Sequence, residues 1–200
     1  MNIITFKSFI PYCLTITLSL LLVGCAPRYV EFPITSPTRS DGIRKIPLRA
    51  GLYMSNSFKE LTQIMYVVDY TSVFGRFGPA FAKGAESMAK EAFEDVVILD
   101  HPEQAAVKKT NILIIPEIDF IGFDYTASTA TIKIKWSIKD IGGKVLYLNT
   151  FIGEGDGKGT SIRYPTKLAN ACTRAIEDHF RKALDGILKT RWWEDIATNY

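Results

Sequence analysis

Glu117 and Asp119 stand two residues apart in a run of strand-forming residues. On a strand both carboxylates point to one side, as a metal site or an acid–base pair requires. Two carboxylates alone make neither, and the nearest histidine, His101, lies upstream beside Pro102 in an expected loop. The pair reads as part of a solvated strand face. The stretch Gly153-Glu154-Gly155-Asp156-Gly157-Lys158-Gly159-Thr160 has the composition of a phosphate cradle without its spacing. A Walker loop needs glycine where Ile152 stands and a hydroxyl residue where Gly159 stands, and the aspartates do not follow the calcium-loop pattern. The segment reads as a mobile connector; the alternative is a ligand- or partner-binding loop over 153–159. His179 falls at the edge of a helical apolar stripe and Cys172 within it. A buried helical thiol with no basic neighbour in the preceding turn acts as a small hydrophobe rather than a nucleophile.

Cys25 belongs to a different pattern. Lys7 is the only charged side chain before it, and Leu14 to Val23 forms an apolar run of about ten residues, half of what a spanning helix needs. A basic start, a short apolar core and a processing site are the parts of a signal peptide, here residues 1–24. The segment closes on Leu22-Val23-Gly24-Cys25, which resembles the lipobox of bacterial lipoproteins. The resemblance implies acylation of Cys25 followed by cleavage before it. It implies two or three acyl chains on that residue, and two or more make a stable anchor where one is marginal. Ala26, rather than aspartate, follows the cysteine. By the same resemblance, this directs the protein to the periplasmic leaflet of the outer membrane in a host with two membranes.

With residues 1–24 removed, 23 Lys and Arg face 21 Asp and Glu. A near-neutral chain lacks the concentrated basic face of a nucleic-acid binder. The remaining length suits one domain with a single core. Cys13 leaves with the signal peptide and Cys25 is acylated, so Cys172 alone remains, and one thiol builds neither an intramolecular disulfide nor a cysteine zinc site. No cofactor is expected beyond the covalent lipid.

Residues 25–45 contain Pro27, Pro33 and Pro37 among hydroxyl residues and read as the lipidated cysteine and a flexible tether, with a reach of roughly 25 Å. The domain follows over 46–190. Strands are expected at Ile46 to Met54 and Leu61 to Val68. Phe81, Ala85, Met88 and Ala92 then give an amphipathic helix that opens near Pro79 and ends near Phe93. Val96 to Leu99 and Ile112 to Ile115 are short apolar runs of the kind buried on both faces, so each is expected at a central sheet position. Ile132, Ile134, Trp136 and Ile138 alternate with Lys133, Lys135, Ser137 and Lys139, and Asp140-Ile141-Gly142-Gly143 turns the chain into Val145 to Ile152 as a hairpin. The lysine row reads as a solvated surface that also discourages edge-to-edge association, with lipid headgroups or anionic glycan as the alternative. Leu168, Cys172, Ile176, Phe180, Ala183 and Ile187 line the longest helix, from about Pro165 to Leu188, and 191–200 is a C-terminal tail. This order predicts an α+β fold, a mixed, largely antiparallel sheet with two helices packed on one face.

The segments Pro47 to Ser55, Phe93 to Asp100 and Leu113 to Ile118, in that element order, resemble small bacterial envelope lipoproteins. That kind includes uncharacterised outer-membrane lipoproteins, auxiliary lipoproteins of ABC-type lipid transporters and lipoprotein activators of penicillin-binding proteins. The resemblance implies a non-catalytic periplasmic module, anchored in the membrane by its lipid, that binds an envelope protein partner and not nucleic acid. The second reading is a lipid-binding accessory of an ABC-type transport system, its two helices covering an apolar groove over the sheet. A hydrolase is a distant third. No family site residue carries over. From the residues themselves, Phe74, Arg76 and Phe77, in a loop before the first helix, and Trp192 and Trp193 are candidate partner contacts, since aromatic and arginine anchors dominate interface energetics. The competing reading packs them onto their own domain.

Overall fold

The computed structural model describes residues 28–40, 42–68, 71–158 and 164–197. The expected signal peptide, the lipobox-like residues Leu22, Val23 and Gly24, and Cys25 lie outside them. In strand β2 (Ile46–Tyr53) the alternation Ile46, Leu48, Ala50 and Leu52 points into the core, while Pro47 and Arg49 stay exposed. A one-turn helix, α1 (Asn56–Lys59), leads into a hairpin of β3 (Thr62–Val68) and β4 (Thr71–Arg76), and the chain then enters helix α2 (Phe77–Ala92). Phe81, Ala85, Met88 and Ala92 are all buried along one stripe of α2, as their spacing predicts. Strand β5 (Phe93–Leu99) returns beside β2, and a one-turn helix, α3 (Gln104–Val107), precedes three long antiparallel strands, β6 (Ile112–Asp124), β7 (Thr129–Asp140) and β8 (Val145–Asp156). The β7–β8 turn uses Gly143 at φ 87° and the Asp140 carboxylate, which accepts from the Lys144 amide at 2.9 Å. Helix α4 (Tyr164–Lys189) and a final turn, α5 (Glu194–Ala197), complete the described elements.

The five-stranded sheet runs β5-β2-β6-β7-β8, with β2 parallel to both neighbours and β7 antiparallel to both of its own. A short strand, β1 (Arg28–Glu31), joins β4 in parallel to make a second sheet of order β1-β4-β3. The α+β class holds, with the strands divided between two mixed sheets. Helices α2 and α4 pack on one face of the larger sheet, burying Ile132, Ile134, Trp136 and Ile138 against Leu168, Cys172, Ile176, Phe180, Ala183 and Ile187. No helix among the described residues is long and apolar enough to cross a membrane.

Four local expectations change. Residues 28–40 are not a tether: Phe32 and Ile34 are buried, and the Phe32 ring lies 4.5 Å from that of Phe77 at the start of α2. From there the segment runs the length of α2, the Thr35 amide donating to Glu177 and Arg39 reaching the Glu91 carbonyl in the last turn. Prolines forbid helix but not extended chain, so Val30, Phe32 and Ile34 still present alternate apolar side chains. Second, β5 is an edge strand rather than a central one, and Ile98 is 44% exposed.

Third, Gly153 to Asp156 continue β8 rather than connecting it to the helix. A Cβ on Gly153 would lie 2.1 Å from the Ala175 carbonyl oxygen, and one on Gly155 would lie 2.0 Å from that of Ala171. Glycine at every second position lets α4 settle directly on the strand backbone. The free edge of this half of β8 is closed by α4 itself. The Glu154 amide donates to Asp178, Lys182 donates to the Ile152 carbonyl and Arg174 to that of Asp156. The lysines of β7 guard no edge, because β7 lies inside the sheet. Fourth, the start of the 191–200 tail is packed: the Trp192 ring lies 6.3 Å from Phe93 and 6.1 Å from Tyr147.

Candidate functional site

Helices cover one face of the five-stranded sheet, and α3 covers part of the other, where Ala105 packs with Leu99 and Leu113. The rest of that second face, on β6, β7 and β8, is open. Register places the side chains of this face in rows: Phe120, Lys133 and Ile152; then Glu117, Lys135 and Thr150; then Ile115, Leu148 and the buried Ser137; then Lys139 and Val145 beside Leu113, which α3 covers. Leu148 is 59% exposed, Phe120 and Val145 48% and Ile152 41%. Such side chains appear singly on any surface; here Phe120 and Ile152 share one row and Leu148 and Val145 fall in neighbouring rows, on either side of the polar Glu117, Lys135 and Thr150 row.

Charge is built into the same face. The Lys133 ammonium lies 5.5 Å from the centre of the Phe120 ring, a cation–π contact. Lys135 pairs with Glu117 at 2.5 Å, and that hydrogen bond, then the Glu117 and Asp119 charges, raise the Lys135 pKa against a small opposing desolvation. The pair is exposed, so it orients the lysine more than it stabilises the fold. A bulge between Ile118 and Phe120 leaves Asp119 without a cross-strand partner, which breaks the strict alternation behind the expected carboxylate pair. Glu117 serves Lys135 instead. Among the described residues no group of three or more His, Cys, Asp and Glu side chains is placed to hold a metal ion.

The remaining sequence candidates are dispersed. His101 is exposed in the loop before α3. His179 is fully buried on α4, its Nε2 accepting from the Trp136 indole N–H at 3.0 Å, which assigns the ring proton to Nδ1. Among the described residues Nδ1 makes no hydrogen bond of good geometry, although the Phe151 backbone is close enough to act on the ring. Burial holds the His179 pKa down at about 4, against smaller upward pulls from the Phe151 backbone and Asp178, so the ring is neutral at physiological pH. Burial also pushes the Cys172 thiol up to about 12, out of the range of a nucleophilic thiolate.

Phe74 and Arg76 sit on β4 rather than in a loop, and Phe77 is fully buried, packed against Phe32 and Phe81, which removes it from the surface. Trp192 and Trp193 are half-buried against the core, their indole nitrogens covered and without hydrogen-bond partners among the described residues. Sequence reasoning did not find the open depression of about 720 Å³ beside Trp193, lined by Arg39, Ile43, Arg44, Lys45 and Glu94. Two of its cations are engaged, Arg39 on the Glu91 carbonyl and Lys45 on that of Lys90, where they cap the end of α2.

These observations define a class: an α+β domain of two mixed sheets, with two long helices on one side and an open strand surface on the other. Among solved structures, protein XCC0632 from Xanthomonas campestris, described with the family model DUF330, is similar over 85% of this chain and 98% of its own, with a TM-score of 0.60 and 8% identity. The likeness establishes a shared fold. It singles out none of the lipoprotein subtypes named from the sequence. A PelC dodecamer from Paraburkholderia phytofirmans matches with a TM-score of 0.44 and 12% identity, over 78% of this chain and 96% of that one. The hypothetical protein CT253 from Chlamydia trachomatis matches with a TM-score of 0.43 and 10% identity, over 70% and 96%. No family model matches the sequence, and no curated protein does.

Proposed function

We infer that the chain is a lipid-anchored, non-catalytic interaction module of the cell envelope, held through Cys25 in the periplasmic leaflet of the outer membrane where the host has two membranes. The open face of β6, β7 and β8 carries the reading. It combines apolar side chains in register with fixed lysines, the mixture of anchor and orientation from which protein interfaces are made. The most reactive side chains support the non-catalytic part, since His179 and Cys172 are both buried in the core. The space between the helices and the sheet, where a lipid-binding accessory would hold an acyl chain, is filled by buried side chains such as Trp136 of β7 against Phe180 of α4.

A photoreactive residue placed at Leu148 in intact cells tests the assignment, with the same probe at exposed Lys189 on α4 as the control. The expected outcome is a discrete envelope-protein adduct from position 148 and none from 189. Adducts at 148 that do not rise above those of an unrelated lipid-anchored domain would contradict the interaction face.

A further inference from the structure

The lipid-anchored reading fixes where a bilayer stands relative to this fold. Arg28 opens β1, which is an edge strand of the three-stranded sheet. Only three residue steps separate Arg28 from Cys25, and even fully extended they span at most about 11 Å. The sequence suggested a tether of more than twice that reach, but β1 and the segment behind it are committed to the domain. A lipid on Cys25 therefore draws the small sheet to the membrane surface.

The surface that arrives there is suited to it. The register of β3, β4 and β1 aligns Ile64, Phe74 and Tyr29 in one row across the sheet. Tyr29 is 55% exposed and Ile64 50%, while Met65 and Val73 on the other side of the sheet are buried. The Phe74 ring lies 5.7 Å from that of Tyr29, so the aromatic pair forms one apolar ridge. Arg76 reaches across the Tyr29 ring at 5.8 Å and pairs with Glu31 at 2.9 Å. Tyrosine is favoured at membrane interfaces because its ring is apolar and its hydroxyl wet, and arginine can lay its stem along apolar surface with its charge among headgroups.

We propose that the outer face of the β1-β4-β3 sheet is a lipid-contact surface, with Tyr29 and Ile64 seated at the headgroup boundary and Arg76 facing anionic headgroups. The proposal rests on the lipid-anchored reading and extends it: the domain lies on the bilayer in one orientation instead of standing clear of it. The β7–β8 turn is then remote, since Phe123, 6.1 Å from Phe77, marks the near end of the long strands. Ile141 follows the far end of β7, roughly 35 Å away along the strand.

The full chain, purified in its lipidated form, is reconstituted in phosphatidylethanolamine–phosphatidylglycerol vesicles with or without brominated acyl chains. A fluorophore is placed on Ile64→Cys, on Tyr29→Cys or on Ile141→Cys. All three positions are exposed, and Cys172, buried, does not compete for label. Brominated lipid is expected to quench the probes at 64 and 29 at least about twofold, as contact at interfacial depth requires, and to leave the probe at 141 unchanged. Unquenched probes at 64 and 29 on a protein whose mass includes the acyl chains would overturn the proposal while leaving the anchor intact. A protein without acyl mass removes the anchor and the proposal together. Protection of the probe at 64 from aqueous iodide without quenching by brominated lipid would assign the face to a protein, a second copy included, and also overturn it.

Discussion

His179 shows how much of a side chain's role sequence spacing carries. The stripe of α4 placed it near the core, but its partner, the Trp136 indole, is supplied by β7 and depends on how the helix docks. A neutral imidazole buried in this way makes stability depend on pH. The folded pKa, about 4, lies below the ordinary value of 6.5, so the unfolded chain binds the extra proton between those limits. Stability from this group is complete above about pH 6.5 and falls as pH drops through that window, by on the order of 3 kcal/mol. Urea unfolding at pH 7 and pH 4 should show this loss, and His179→Gln, which still offers an acceptor to Trp136, should lose less over the same interval. Equal losses in both chains would contradict the buried, neutral assignment. Cys172, in the same stripe, was legible as core because nothing about a small apolar contact depends on a distant partner.

Strands and helices were legible where their periodicity was uninterrupted, as in β7 and α4. They were obscured where proline or glycine interrupts a pattern that the backbone continues. Gly153, Gly155 and Gly157 alternate with Glu154 and Asp156, which is strand periodicity with the inward side chain deleted. Composition alone suggested a loop, because a loop and a strand pressed against a helix both require glycine. The same ambiguity hid residues 32–34, whose alternate apolar side chains are separated by Pro33. Gly155→Ala separates the two readings. A mobile connector would accept a methyl group without loss, whereas here the new Cβ meets the Ala171 carbonyl oxygen at 2.0 Å and the Ala175 amide nitrogen at 2.5 Å, backbone atoms that cannot turn aside. Thermal or urea denaturation should show destabilisation by about 3 kcal/mol. A change within about 0.5 kcal/mol, the usual range for a surface substitution, would contradict the docking of α4 on β8.

At the scale of the molecule, the helices leave two strand surfaces uncovered among the described residues. We propose the larger, on β6 to β8, for a partner, and the smaller, on β1, β4 and β3, for the bilayer. Pieces of each were legible, Lys133, Lys135 and Lys139 as a solvated row and Phe74 with Arg76 as contact residues, but not the surfaces they join. Which side of a sheet stays open, and which strand the N-terminal segment joins, are decided by long-range pairing between residues tens of positions apart, such as Tyr29 with Phe74. The proposed lipidation motif needs no such pairing, because it is contiguous in the sequence; it lies outside the described residues. Both proposed surfaces presuppose an anchor at Cys25, and Cys25→Ser tests for it. Serine lacks the thiol that the modifying chemistry uses, and Cys25 lies before the described domain, so acylation is expected to stop while the fold persists. Cells fed a clickable fatty acid should label the wild-type chain and not Cys25→Ser, which should accumulate at precursor mass with unchanged circular dichroism. Absence of label on the wild type, or equal label on both chains, would contradict the anchor and with it the envelope assignment.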